Sequence, residues 1–267
     1  MRYLAVIITL LIGTGCTKVI NIKLDTADTK YVVEGVLTNQ PGTCKVLLSQ
    51  TTNFDASNDF TGVSGATVQI TEKGGPTTPL TETSTGVYQA AGLSGTSGKT
   101  YTLSVTIKGE SFVASSTMPA QVNMDSVFIT DDEAPGGNRN MANVQYNDPA
   151  NVANNYRFVQ YVNGVKEKTI FVRNDELTNG NRTITKLRYD KNADNEPDNS
   201  IKTGDLVQID MQCIDSAVYK YWYSLNRSAT GGGQNSATPA NPVTNMTGGA
   251  LGYFSAHTLQ SRTVVVR

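Results

Sequence analysis

The sequence predicts a mainly β protein, with an N-terminal immunoglobulin-like β-sandwich followed by a second β-rich region that contains one short helix. Glycine, threonine, serine and asparagine are abundant and strong helix formers are scarce, a bias that favours strands joined by turns. Segments of alternating apolar and polar residues recur, separated by residues that favour turns. The clearest segment covers residues 99–107, where Tyr101, Leu103, Val105 and Ile107 alternate with polar residues.

The immunoglobulin-like sandwich is predicted for residues 29–119. About seven short strands form a two-sheet sandwich of this size. The clearest candidates are residues 31–37, 44–49, 65–71, 86–90, 99–107 and 111–117.

The second β-rich region is predicted for residues 120–267, after the break at Met118-Pro119-Ala120. Asn163-Gly164 predicts a hairpin turn. Asp215 or Ser216 can cap a helix near residues 215–227. The predicted strands cover residues 125–130, 142–146, 155–162, 169–172, 206–211 and 264–266.

Residues 1–15 have the parts of a lipoprotein signal peptide. Arg2 precedes a short apolar core, and small residues stand directly before Cys16. The segment resembles a lipobox, in which the cysteine thiol receives a lipid and becomes the first mature residue, although Gly13 stands where leucine is usual. An ordinary secretory signal with a chance cysteine is the alternative. Residues 16–28 would form a tether, and acyl chains such as palmitate would hold it on a membrane.

Charge and cysteine content restrict the class of protein. The formal net charge is −1 and the pI is about 5.9, which argues against a nucleic-acid partner. Cys44 and Cys213 remain beside Cys16; they could form one disulfide or lie separately as small buried hydrophobes.

Several motifs occur in an order typical of one family. They are Tyr31-Val-Val-Glu-Gly35, Val63-Ser-Gly-Ala-Thr-Val68, Gly98-Lys-Thr-Tyr-Thr-Leu103, Met124-Asp-Ser-Val127 and the helix Ile214-Asp-Ser-Ala-Val-Tyr-Lys-Tyr-Trp222. With the lipobox they resemble the Bacteroidetes lipoprotein family of domain of unknown function 4249 (DUF4249), across nearly the whole mature chain.

The resemblance implies a lipid-anchored protein of the outer membrane and, as a partner, a TonB-dependent outer-membrane transporter. It implies no established catalysis. Surface-exported lipoproteins of this phylum often carry acidic residues after the cysteine, whereas Thr17-Lys18 follows here. Both the periplasmic and the outer face of the membrane therefore stay open.

Three tripeptides resemble the O-glycosylation signal of this phylum. They would place sugars on Thr26, Ser126 and Ser216, each of which follows an aspartate. The signal is short, so chance occurrence is the alternative.

A calcium loop is the strongest local candidate for a metal site. Asp190, Asn192, Asp194 and Asp198 place oxygen side chains at a spacing similar to that of calcium-binding loops. A bound calcium ion would be structural. The alternative is a solvated acidic turn.

The sequence contains few residue combinations that are typical of catalytic sites, and no catalytic residue is predicted. His257 is the only histidine, which excludes multi-histidine zinc sites, and we expect it to pack in the core or at its rim. Tyr219, Trp222 and Tyr223 could contact a partner protein or a glycan, or could pack inward.

We therefore expect a non-catalytic lipoprotein of the cell envelope that binds or assembles with other envelope components. A carbohydrate-binding accessory lipoprotein is the alternative. A hydrolase is the third hypothesis, and it would need acidic residues or the histidine to converge in a cleft.

Overall fold

The computed structural model describes residues 28–52, 61–133, 138–189, 200–229 and 241–267. This part of the chain contains fifteen strands and one helix, which confirms the mainly β fold class. The described helix is not long and apolar enough to cross a membrane. The elements are β1 Tyr31–Thr38, β2 Lys45–Gln50, β3 Thr67–Glu72, β4 Thr77–Ser84, β5 Val87–Gln89, β6 Thr100–Ile107, β7 Glu110–Thr117, β8 Met124–Asp132, β9 Arg139–Asn147, β10 Asn155–Val162, β11 Val165–Lys166, β12 Phe171–Asn174, β13 Arg182–Leu187, β14 Leu206–Cys213, α1 Ser216–Ala229 and β15 Leu251–Val265.

The first sandwich is made by one sheet that folds back on itself at β4. Strands β15, β1, β2 and β5 form one layer, and β3, β6 and β7 form the other. The first half of β4 pairs with β3 and its second half with β5, so this strand joins the layers. The rings of Tyr31 in β1 and Phe112 in β7 lie 5.4 Å apart across the core.

Gly35 shows how closely the two layers of the first sandwich approach. A Cβ at this position would lie 2.7 Å from Leu103 Cδ2 in β6 and 2.8 Å from Phe254 Cδ2 in β15. Because packed interiors leave no room for an added methyl group, only glycine fits here without repacking.

The second sandwich packs the three-stranded sheet of β13, β9 and β8 against β10, β12 and β14. Tyr146, Tyr156 and Phe158 form its aromatic centre, with ring centroids 4.8 to 6.4 Å apart. The predicted hairpin at Asn163-Gly164 is confirmed: both residues have positive φ (50° and 81°), and Val162 pairs with Val165.

Strand β15 belongs to both sandwiches. Its residues 251–257 pair in parallel with β1, and its residues 258–265 pair antiparallel with β14. The sequence placed all of residues 120–267 in the second region, but Met246, Phe254 and Ala256 lie in the first core. Only residues 264–266 were predicted as the closing strand, so that prediction was too short.

The two described cysteines do not pair. Cys44 lies in the core of the first sandwich and Cys213 in that of the second, and both are free and buried. Burial raises the pKa of the Cys44 thiol to about 11. Each therefore packs as a small hydrophobe, which settles the alternative that the sequence left open.

Candidate functional site

Helix α1 is fixed at its start by Asp215. Its carboxylate accepts a hydrogen bond from Val218 N at 2.9 Å, which makes it the predicted N-cap. The other oxygen accepts from Ser116 Oγ at 2.5 Å and from Thr117 N at 3.2 Å. Since Ser116 Oγ also accepts from Ala256 N at 2.9 Å, the cap ties the helix to β7 and β15.

The inner side of α1 packs on the sheet. Val218 and Tyr221 are buried there against Tyr253 of β15. The ring of Tyr253 lies 4.7 Å from that of Tyr221 and 5.2 Å from that of Trp222. This aromatic contact holds the helix across the shared sheet.

A buried cation lies beneath Trp222. The guanidinium carbon of Arg157, in β10, is 3.7 Å from the centre of the indole ring. Arg157 Nη1 donates to Gln212 Oε1 at 2.9 Å, while Nε has no protein partner. Burial lowers the pKa of Arg157. One face of Trp222 is therefore occupied by a desolvated cation–π contact, worth on the order of 2 kcal/mol.

Glu34 and Lys166 both lie close enough to Arg157 for a charge–charge interaction with its guanidinium group. Burial raises the pKa of Glu34, although Lys166 and Arg157 both act to lower it. Burial and then Arg157 lower the pKa of Lys166. The sheet beneath α1 thus carries the buried cation Arg157 and the half-buried carboxylate Glu34, while Lys166 lies exposed on β11.

A flank of α1 presents what we call the outer aromatic surface, made of Tyr219, Tyr223 and Arg227. Tyr219 is half-buried and also packs against the inner cluster of the helix, whereas Tyr223 and Arg227 are exposed. The two tyrosine rings stack at 5.7 Å with an interplanar angle of 24°. Arg227 Nη1 donates to the Tyr223 hydroxyl at 3.3 Å. Tyr223 is 44% exposed. The structure thus turns Trp222 towards Arg157 and Tyr223 towards solvent.

His257 is buried, as expected. It is 3% exposed and its Nδ1 lies 2.8 Å from Ser255 Oγ, which is itself 2% exposed. Burial, and then Arg157, lower the pKa of His257 to about 3. The Ser255–His257 pair has the residue types of a hydrolase dyad but no access to solvent in this conformation.

A cleft of about 310 Å³ opens between β12 and β13, and we call it the basic cleft. Among the described residues, its lining contains three cations and neither a carboxylate nor a histidine. The lining residues are Tyr146, Arg173, Asn174, Thr178, Thr183, Ile184, Thr185, Lys186 and Arg188. The convergence of acidic residues or histidine that the hydrolase hypothesis needs is therefore not found in this cleft.

Two predicted glycosylation positions lie within the described residues. Ser126 is half-buried in β8, and Ser216 is the exposed first residue of α1. The aspartate before Ser216 is engaged as the helix cap. The remaining predicted site residues, Cys16, Thr26, Asp190, Asn192, Asp194 and Asp198, lie outside the described residues. In the described ranges, no group of three or more histidine, cysteine or acidic residues could hold a metal ion.

Sequence reasoning missed the charges beneath α1 and the basic cleft. The sequence held one signal for these charges: Arg157 is the one charged residue of strand β10, and a cation in a largely buried strand requires a partner. The cleft gave no comparable signal, because Arg173 comes from β12 and Lys186 and Arg188 from the end of β13, and only the fold brings these two segments together.

These features define a mainly β protein in which two sandwiches share one long strand and a helix crosses their common sheet. The family described as "Domain of unknown function (DUF4249)" matches residues 17–263. The chain therefore belongs to the DUF4249 family. No curated protein matches it.

Proposed function

We propose that the protein is a non-catalytic lipoprotein of the cell envelope, held to the outer membrane by a lipid on Cys16. It acts by binding or assembling with other envelope components, and we expect a TonB-dependent outer-membrane transporter as the partner. The observation that carries this proposal is the outer aromatic surface of α1.

The composition of this surface supports a contact role. Tyrosine and arginine are enriched at the energetic centres of protein interfaces. Tyr219 and Tyr223 are stacked on each other, so they lose little side-chain entropy on binding. The helix that carries them is anchored by Asp215 at its start and by the Tyr221–Tyr253 contact on its inner side. A partner would therefore meet a rigid surface.

The proposed anchor leaves the folded body free to reach such a partner. An extended chain covers at most about 3.5 Å per residue, so a tether of residues 16–28 spans up to about 45 Å. Replacing Cys16 by serine removes the thiol that would carry the lipid. We expect Cys16→Ser to abolish incorporation of labelled palmitate and to move the protein from the membrane fraction to the soluble fraction. Unchanged acylation and fractionation of the variant would contradict the anchor.

Co-purification tests the assembly itself. The full chain would be isolated from detergent-solubilised outer membrane, and associated proteins identified by mass spectrometry. We expect an outer-membrane transporter to be retained by the native protein and by Lys220→Ala, a control at an exposed position on the same helix. The double variant Tyr223→Ala/Arg227→Ala should lose it, because both side chains are exposed and each anchor residue of an interface contributes on the order of 2 kcal/mol. Recovery of the native protein without any companion would contradict the proposal.

A carbohydrate-binding accessory role is the second candidate, and the partly exposed tyrosine stack favours it because aromatic faces pack on sugar rings. A glycan array would be probed with the native protein and with the Tyr223→Ala/Arg227→Ala variant, and glycan binding by the native protein that this variant loses would favour the carbohydrate-binding role. Trp222 is a poor position for this test: its ring packs on Arg157 and Tyr253, so its removal would also loosen the helix.

A further inference from the structure

The basic cleft lies at an open side of the second sandwich. β13 is the end strand of the three-stranded sheet, and β12 pairs with β10 at the margin of the large sheet. The cleft runs between these two strands, and its floor is the buried ring of Tyr146. Exposed Ile184 gives the cleft a partly apolar wall.

Positive charge dominates the cleft. Arg173, Lys186 and Arg188 line it, and of these Lys186 forms an ion pair with Asp132. The hydrogen bond from Lys186 lowers the pKa of the Asp132 carboxyl. Asp175 is near in sequence, but it is buried and accepts a hydrogen bond from Asn154 N at 2.9 Å. Among the described residues that line the cleft there are thus three cations and no carboxylate, in a chain whose formal net charge is −1.

The cleft also offers neutral hydrogen-bonding groups. Thr178 Oγ1 is buried and has no hydrogen-bond partner, which is costly unless a ligand or water completes it. The Thr185 hydroxyl is 3.1 Å from that of Tyr146, and both line the cleft with Thr183 and Asn174. Hydroxyl and amide groups beside guanidinium groups match a ligand that carries both hydroxyls and an anion.

We propose that the basic cleft binds a small acidic carbohydrate, a mono- or disaccharide that carries a carboxylate or a sulfate. The arginines take the anionic group, since a guanidinium holds such a group with two parallel hydrogen bonds. The threonines and Asn174 take the sugar hydroxyls, and exposed Ile184 contacts the ring. A volume of about 310 Å³ is at the small end of ligand pockets and suits one or two sugar rings.

This inference goes beyond the proposed assembly role and does not depend on it. The basic cleft and the outer aromatic surface share no residue, so their variants can be tested separately. If the co-purification experiment fails, the proposal for the basic cleft still stands. If carbohydrate binding is not found, the proposed assembly role still stands.

Isothermal titration of the full chain in detergent would test the cleft with four probes: glucuronic acid, glucose, sodium sulfate and a short polyglutamate peptide. We expect glucuronic acid to bind at least about tenfold more tightly than glucose or sulfate, because only glucuronic acid engages both the arginines and the hydroxyl groups. Arg173→Gln/Arg188→Gln should weaken glucuronic acid binding by about tenfold or more. Thr178→Val, of nearly equal volume, should weaken it by a smaller factor.

Arg182→Gln is the matched control. Arg182 is an exposed cation of β13 that does not line the cleft, so its loss should leave binding unchanged. Thermal unfolding of each variant would verify that the fold is intact. Sulfate binding as tight as that of glucuronic acid would indicate an adventitious ion only and would overturn the proposal. So would equal binding of glucose, preference for the acidic peptide, or binding that survives loss of both arginines.

Discussion

Replacing Gly252 by alanine is expected to lower the free energy of unfolding by about 4 kcal/mol. Gly252 lies inside β15 with a φ of 95°, a conformation that residues with a Cβ rarely adopt. A Cβ there would lie 2.0 Å from the carbonyl oxygen of Val33 and 2.7 Å from its carbonyl carbon. These are backbone atoms of β1, which pairs with β15 at this residue, so the strands would have to separate.

Gly249 provides the matched control for the Gly252 substitution. Its φ is 89°, but an added Cβ would meet nothing within 4 Å. Gly249→Ala should therefore cost only the conformational strain, about 1 to 2 kcal/mol. Urea unfolding of both variants would measure the difference, with protease susceptibility as a second readout if Gly252→Ala does not fold. Equal stability of the two variants would contradict the close approach of β1 and β15.

The second large effect is a loss of stability in acid that comes from His257. Its folded pKa is about 3, and the unfolded chain has the ordinary value near 6.5. Below about pH 6.5 the unfolded state therefore binds a proton that the folded state does not, so stability falls as the pH is lowered towards 3. At about pH 5 the loss relative to neutral pH amounts to about 2 kcal/mol.

His257→Gln should flatten this dependence, because His257 is the only histidine in the sequence. The measurement is the slope of the free energy of unfolding between neutral and mildly acidic pH, which is independent of any constant cost of the substitution. Glu34 and Asp148 have folded pKa values raised by burial, so both act in the opposite direction and gain stability as the pH falls. An equal slope in the variant would contradict the prediction, because it would mean that His257 takes up its proton over the same pH range in the folded protein as in the unfolded chain.

The strands of the first sandwich were predictable where one face is buried and the other is not. In β6 the alternation of Tyr101, Leu103, Val105 and Ile107 is also the alternation of burial. Strand β4 was missed because Leu80 is its only buried residue and Pro79 stands in its middle. Strand β13 was missed as well: its Ile184 faces outward while Thr185 is buried, which reverses the usual pattern.

Strand β15 was underestimated for a different reason. Seven successive residues from Gly252 to Thr258 are buried, since the shared sheet is covered on both faces in this stretch. Such a strand loses the period-two signal, and its parallel partner β1 lies more than two hundred residues away in the sequence. Nothing local could indicate that pairing.

By itself, the sequence determined features that depend on neighbouring residues: the mainly β class, the hairpin at Asn163-Gly164 and a helix capped at Asp215 or Ser216, of which the structure selects Asp215. Strand periodicity, turn conformation and capping each involve only a few consecutive residues, so they can be read directly. The tertiary structure alone decided that Trp222 turns inward on Arg157 while Tyr223 stays exposed, and that Arg173, Lys186 and Arg188 line one cleft. These arrangements depend on which distant strands pair and which faces they cover, and that choice is made by packing over the whole molecule.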